Sequence, residues 1–287
     1  MKQKLEVSWG VPNTDNKLRQ FKRYLRDKGA RPSTVDDYLA RVKKYFEFCG
    51  NKDPSLELAQ EYRDHLLDRN LSNSSVANYS YAIKNFHKML GQDIKFPHLK
   101  RANEIPYFFS SFEVNKIFDK INNIKHIAMF KTAFYACLRA SELCNLDVED
   151  LNLDKLALVV RNGKGGKTAI CYLSEEAVET LREYLAVRPD FEIEGRKPLF
   201  YSDYGSRFNR KEVYRLVIHY KETAGINKPG GAHVLFRHTP ASLMVQNGCD
   251  LLTIQQVMRH NHITTTMRYL HLADDIKRSK YDKFLKL

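Results

Sequence analysis

The stretch "MRHNHITTTMRYL", Met258 to Leu270, decides how the second half of the chain folds, because it sets His260 nine residues before Tyr269. On one continuous helix, side chains share a face at spacings of three or four, so these two would lie on opposite sides. Asn261 invites a turn, Ile263-Thr264-Thr265-Thr266 is a weak helical run, and a threonine there is well placed to cap a new helix. The chain is therefore expected to bend, and a bend returns His260 and Tyr269 to one site.

Upstream, the same half carries other polar groups on apolar backgrounds. "CLRASELCNL" places Arg139 and Glu142 three apart within "HIAMFKTAFYACLRASELCNL", which reads as one long, mostly buried helix. "LALVV" and "TAICYL" flank "RNGKGGK", a hairpin signature with Lys164 in its turn, although its three glycines also suit a looser loop. "HVLFRH" brings His233, Arg237 and His238. Singly these have bland readings: buried Arg–Glu pairs are mostly structural, lysines in glycine-rich turns face solvent, and tyrosines pack. Together they suit a phosphodiester. Guanidinium groups are the best fixed donors to non-bridging phosphate oxygens, and Arg139 and Arg237 would form that clamp. Tyrosine needs a base or an electropositive site to become nucleophilic, and histidines supply the base. The departing sugar oxygen needs a proton, which the Lys164 ammonium can bring.

The first half reads differently. Amphipathic helices are expected in "LRQFKRYLRDK", ending at Gly29; in "RPSTVDDYLARVKKYFEFCG", capped by Ser33 and stopped by Gly50; in "SLELAQEYRDHLLDRN" after Pro54; and in "NSSVANYSYAIKNFHKMLG", starting on Ser74 or Ser75 and ending at Gly91. Pro97, Pro106, Lys95, Lys100 and Arg101 mark a basic linker, after which "SSFEVNKIFDKI" opens as a capped helix. The fold class is mainly α: a helical domain at 14–92, a linker at 93–109, and at 110–287 a mostly helical domain with a small antiparallel β-sheet and a short carboxyl-terminal tail. Residues 1–13 are expected to be flexible.

Composition narrows the function classes. Forty-seven Lys and Arg against 34 Asp and Glu leave +13, spread along the chain, which favours a polyanion such as nucleic acid. No apolar run approaches the roughly 20 residues of a membrane span, and "MKQKLEVSWGVPN" lacks a secretory core, so a cytoplasmic, non-membrane protein is expected. Five cysteines without a C-x-x-C pair indicate neither a disulfide framework nor a zinc site; they are expected reduced and buried.

The order of these elements resembles the tyrosine recombinases, the family of phage integrases, transposon integrases and Xer-type resolvases. "CLRASELCNL" is similar to its G-L-R-x-S-E-L helix, and "GKGGK" to its hairpin with the catalytic lysine. "RHTPASLMVQNGCDLLTIQQVMRHNHITTTMRYLH" is similar to its R-H-T … L-G-H-x-x-x-x-T-T-x-x-Y region, and the helices around "RPSTVDDYLARVKKYFEF" resemble its core-binding domain. The resemblance implies a clamp on duplex DNA in which Tyr269 forms a 3′-phosphotyrosyl link and frees a 5′-hydroxyl, with neither metal nor cofactor. It implies Arg139 and Arg237 as phosphate ligands, Lys164 as general acid, His260 as donor to the phosphate or aid to proton transfer, and Glu142 as a group orienting the site. A homotetramer on two DNA sites is implied, with the tail "ADDIKRSKYDKFLKL" docking on a neighbouring subunit or packing in cis. The absence of an arm-binding domain ahead of the helices suits a Xer-like or small integrase design.

The chain also departs from the family pattern. The usual H-x-x-R is stretched, His233 lying four residues before Arg237, with Val234 at the expected position. In an α-helix one extra residue turns the ring by about 100°, so His233 requires a local backbone adjustment, and His238 is the alternative base. Pro240 suggests that Thr239 caps a helix, and Cys137 and Arg259 stand where the family has glycine. Two further function classes stay open: a DNA-binding regulator without catalysis and a type IB topoisomerase-like enzyme.

Overall fold

The computed structural model describes residues 14–99, 107–161, 168–273 and 281–282. The chain divides into two compact units, Met1–Glu104 and Ile105–Leu287.

The first unit is helical: α1 (Thr14–Asp27), α2 (Pro32–Cys49), α3 (Leu56–Asp68) and α4 (Asn73–Met89). Each turns its apolar stripe inward, and Phe21, Tyr45 and Phe86 are fully buried, with Phe86 edge-on to both Phe21 and Phe46. Two starts differ from expectation. Pro32 supplies the first helical residue of α2, its fixed φ preorganised for a helix, so Ser33 sits inside the turn rather than capping it. Helix α4 is capped by Ser72, whose hydroxyl accepts the Ser75 N–H. Ile94, in the expected linker, is buried in this unit's core.

The second unit opens with Phe109 fully buried and α5 (Ser111–Phe118) closed by a reciprocal Ser110–Glu113 capping box. The expected long helix is two: α6 (Ile124–Tyr135) and the short α7 (Ala140–Cys144). A three-stranded antiparallel sheet follows, β1 (Leu151–Asn152), β2 (Ala157–Val160) and β3 (Ala169–Tyr172), in that order, with Leu158 opposite Cys171 and Val160 opposite Ala169. Asp147, buried beside it, accepts from Arg196 and Arg207 and forms an ion pair with Arg161, which donates to Asp150. Helices α8 (Glu175–Val187) and α9 (Arg210–Thr223) cover the core. A π turn (Val234–His238) then runs into α10 (Thr239–Gln246), followed by α11 (Leu251–Met258), α12 (Ile263–Thr266) and a 3-10 turn (Met267–Ala273). Thr239 is not a cap: it lies within this continuous run, and its hydroxyl accepts the Phe109 N–H.

No helix among the described residues is long and apolar enough to cross a membrane. The cysteines are free thiols; Cys49, Cys137, Cys144 and Cys171 are buried, and Cys249 is half-buried.

Candidate active site

Three local departures from regular helix build the site. The first separates α6 from α7. Leu138 N–H bonds Ala133 O and Cys137 N–H bonds Phe134 O, the paired closure of a helix whose next residue is left-handed, and Cys137 has φ +49°. Only glycine takes this conformation freely, and an L-residue there costs on the order of 1 kcal/mol. The break sets Arg139 at the amino-terminal end of α7, where Glu142 reaches back to it. One carboxylate oxygen accepts the Arg139 N–H at 2.9 Å, and the other accepts its Nη1 at 2.5 Å. Burial would push the Glu142 carboxyl up, but the Arg139 backbone N–H, the Arg259 charge and the Arg139 side chain together hold it below the usual range.

The second departure answers the stretched H-x-x-x-R. From Val234 to His238 the backbone is π-helical, with Thr239 N–H bonding Val234 O, five residues back. A π turn winds one extra residue into the arc an α turn would cover, so the insertion is absorbed locally instead of rotating everything before it. His233, exposed to solvent, therefore still lines the cavity containing Arg237, and its ring meets that of His238 edge to face at 4.5 Å. Phe236 packs edge-on against Phe130 of α6, fixing the turn to the core. Arg237 is 2% exposed; its Nη1 donates to Cys137 O at 2.6 Å and its Nη2 to Met258 O. Burial, then the charges of Arg139 and Arg259, lowers it to about 10, still cationic at neutral pH.

The third departure is the opening stretch. Helix α11 closes as α6 does, with His260 N–H on Gln255 O, Arg259 N–H on Gln256 O, and Arg259 left-handed at φ +53°. The bend thus begins on Arg259 and continues through Asn261 and His262, and α12 begins after His262 without a threonine cap. His260 Nδ1 lies 2.9 Å from Thr266 Oγ1. Tyr269 is 2% exposed, packed among Cys137, Ala241, Val245, Ile254 and Met258, and its hydroxyl lies 2.6 Å from His238 Nδ1.

Arg139, His233, Arg237, His238, His260 and Tyr269 thus share one cavity of about 410 Å³, with Glu142 behind Arg139. Arg259 and Arg268 complete four arginines on its wall, and no carboxylate is among the described lining residues. Burial first, then neighbouring cations, pushes His238 down to about 3 and His260 to about 4. Desolvation and the charges of Arg237, Arg139 and Arg268 also lower His233. Burial raises Tyr269 to about 12 against the pull of Arg237 and Arg268. At neutral pH the resting site therefore holds a protonated tyrosine hydrogen-bonded to a neutral imidazole, the hydroxyl donating in the tautomer whose Nδ1 carries no proton, within a cationic wall suited to an anion. Among the described residues no group of three or more His, Cys, Asp or Glu side chains is arranged to hold a metal.

Lys164 lies outside the described residues, as do residues 1–13 and most of the tail. Sequence reasoning gave no role to Arg259, Arg268 or Thr266. The only signals were an arginine at a family glycine position, a cation beside the tyrosine, and the second threonine of the T-T-x-x-Y pattern.

A model described as the phage integrase family matches residues 108–275, and one described as the phage integrase amino-terminal SAM-like domain matches 18–93. Tyrosine recombinase XerA of Pyrococcus horikoshii is 30% identical over 277 residues, spanning 92% of this chain and 93% of that protein. Tyrosine recombinase XerD of Staphylococcus epidermidis is 28% identical, spanning 90% and 94%. Among solved structures, XerA recombinase aligns with a TM-score of 0.57 at 28% identity over 95% of this chain and 99% of that one. XerH bound to palindromic difH substrate, a post-cleavage complex, aligns at 0.73 and 20% identity over 98% and 99%.

Proposed function

The chain belongs to the phage integrase family and is a tyrosine recombinase, and from that premise we propose that it cuts and rejoins duplex DNA at specific sites through Tyr269. The observation that carries this reading is the convergence of Tyr269, four histidines and four arginines on one cavity, with the tyrosine hydroxyl already bonded to His238.

The scissile phosphate sits against Arg139 and Arg237, which neutralise its non-bridging oxygens as charge builds. Tyr269 Oη attacks phosphorus and passes its proton to His238; the bond to the 5′-oxygen breaks, and Lys164 protonates that departing oxygen to give the free 5′-hydroxyl. The product is a 3′-phosphotyrosyl link that keeps the energy of the phosphodiester, so the partner duplex's 5′-hydroxyl can reverse the step on a new strand. The resting pair opposes premature transfer: with tyrosine near 12 and imidazole near 3, the proton stays on oxygen until a bound phosphate, adding negative charge beside His238, raises the base. His260 donates Nε2–H to the phosphate in the tautomer where the Thr266 hydroxyl donates to Nδ1. His233 lies beside His238 and adds to the histidine wall.

The regulator alternative rested on a displaced His233, and the π turn that keeps this ring on the cavity removes that ground. The proposal extends to a homotetramer on two DNA sites in the cytoplasm, integrating or excising an element or resolving chromosome dimers, and to a DNA-binding role for residues 14–92. The test incubates nicked duplexes from a randomised library with wild-type protein and Tyr269→Phe in EDTA, followed by a denaturing gel. A covalent adduct from the wild type alone, with DNA binding retained in the variant, is expected, and sequencing the trapped DNA gives the target. Binding without any adduct from the wild type would count against cleavage.

A further inference from the structure

Arg259 occupies a backbone conformation that glycine takes without strain. With φ +53° it carries the penalty of a left-handed L-residue, and its Nε–H is buried without a partner among the described residues. Both features oppose stability, so the use of an arginine here is to be sought in its other contacts. The guanidinium crosses from the end of α11 to the turn after α6. Nη1 donates to Ala136 O at 3.1 Å, and Nη2 donates to Cys137 O at 3.0 Å and to Glu142 Oε2 at 2.9 Å.

The contact with Glu142 bears on the chemistry. This carboxylate also faces Arg139, and two parallel bonds are the preferred geometry for a guanidinium and a carboxylate. Here Arg139 gives its side chain to Oε1 alone, because Oε2 is taken by the Arg139 N–H and by Arg259. The remaining N–H groups of Arg139 are thereby left for a ligand. Arg259 borders both the cavity holding Tyr269 and an adjoining one of about 460 Å³, and Arg139 lines both.

We propose that Arg259 is a positioning residue that shares Glu142 with Arg139, preventing a closed two-bond pair and keeping the Arg139 guanidinium available to the scissile phosphate. Without Arg259, Glu142 draws Arg139 into that pair and the phosphate loses a donor. This inference rests on the reading of the cavity as a strand-cleaving site.

The test compares wild type with Arg259→Gly, a substitution suited to the left-handed backbone, on the nicked duplex recovered by adduct trapping. Two forms of the duplex are used: one with a normal scissile phosphate and one with a methylphosphonate there, in which a methyl group replaces a charged oxygen. On the phosphate, single-turnover adduct formation by Arg259→Gly is expected to fall about a hundredfold, the lower end of the roughly hundredfold to thousandfold loss when one donor to a developing oxyanion is removed. DNA affinity should stay within about threefold. On the methylphosphonate the requirement for charge neutralisation is removed, and the two proteins should differ by less than about threefold. In a Glu142→Gln background, where no carboxylate competes for Arg139, adding Arg259→Gly should cost little more. A wild-type rate for Arg259→Gly on the phosphate overturns the proposal, and so does an equal loss on both substrates, which marks a purely structural role. Absence of an adduct from the wild type on every duplex would instead overturn the cleavage reading beneath it.

Discussion

Lowering the pH from 7 to 4.5 is expected to cost the second unit about 2 kcal/mol through His238 alone. Folded, this imidazole is held near 3 by burial and by the charges of His233, Arg268, Arg237 and His260, while in the unfolded chain it titrates near 6.5. A base with a lower folded value binds fewer protons when folded, so between the two values the unfolded state takes up protons and gains free energy. The penalty is therefore absent above about 6.5, grows as the pH falls, and levels off below about 3. Urea denaturation followed by far-UV circular dichroism at pH 7, 6, 5 and 4.5 measures it against His238→Gln. The glutamine amide oxygen can still accept the Tyr269 hydroxyl but does not titrate. Carboxylates and the other histidines titrate in both proteins, so the difference in slope isolates His238. Identical pH dependence in the two would refute the picture of a neutral imidazole buried against the tyrosine.

Arg139→Ala is expected to lower adduct formation by at least about a hundredfold while leaving the thermal midpoint within a few degrees, since Glu142 keeps Arg259 as a partner; near-normal cleavage by the folded variant would remove Arg139 from the clamp. DNA affinity, measured by fluorescence anisotropy against salt, should fall with a log–log slope of about −0.9 for each phosphate contacted, and a flat response would contradict a phosphate-dominated interface. Deleting Val234 removes the residue the π turn absorbs, so the segment should revert to an α turn with H-x-x-R spacing and keep single-turnover cleavage within about tenfold; an unfolded product, read by circular dichroism, would show that the π turn is required by the core.

Much of the site was legible because its chemistry is carried by residue types in a fixed order. Arg139, Arg237, His238, His260 and Tyr269 meet at one cavity, and the apolar periodicity located the helices and the hairpin strands. What escaped was backbone geometry without a side-chain signal. No glycine or proline punctuates "YACLRA", so the left-handed Cys137 that splits the helix was signalled only by its place at a family glycine position, which hydrophobic periodicity does not register. The π turn depends on which carbonyl an N–H selects, a choice that hydrophobic spacing does not encode. Helix starts slipped by a few residues where several serines competed, as at Ser72, or where proline served instead, as at Pro32. The bond between His238 and Tyr269, and the span from Arg259 to Glu142, join residues 31 and 117 apart, which only the folded core brings together.

The carbonyl of Cys137 receives both Arg237 and Arg259. A protein engineer would see in that single oxygen a way to switch the protein. Tyr204 is 95% exposed, and a chain divided there leaves Arg139 and the Cys137 oxygen on one fragment, with Arg237, Arg259, His260 and Tyr269 on the other. Neither fragment owns a complete phosphate clamp. A split version would stay inert until its halves were brought together, and activity would report on their reunion.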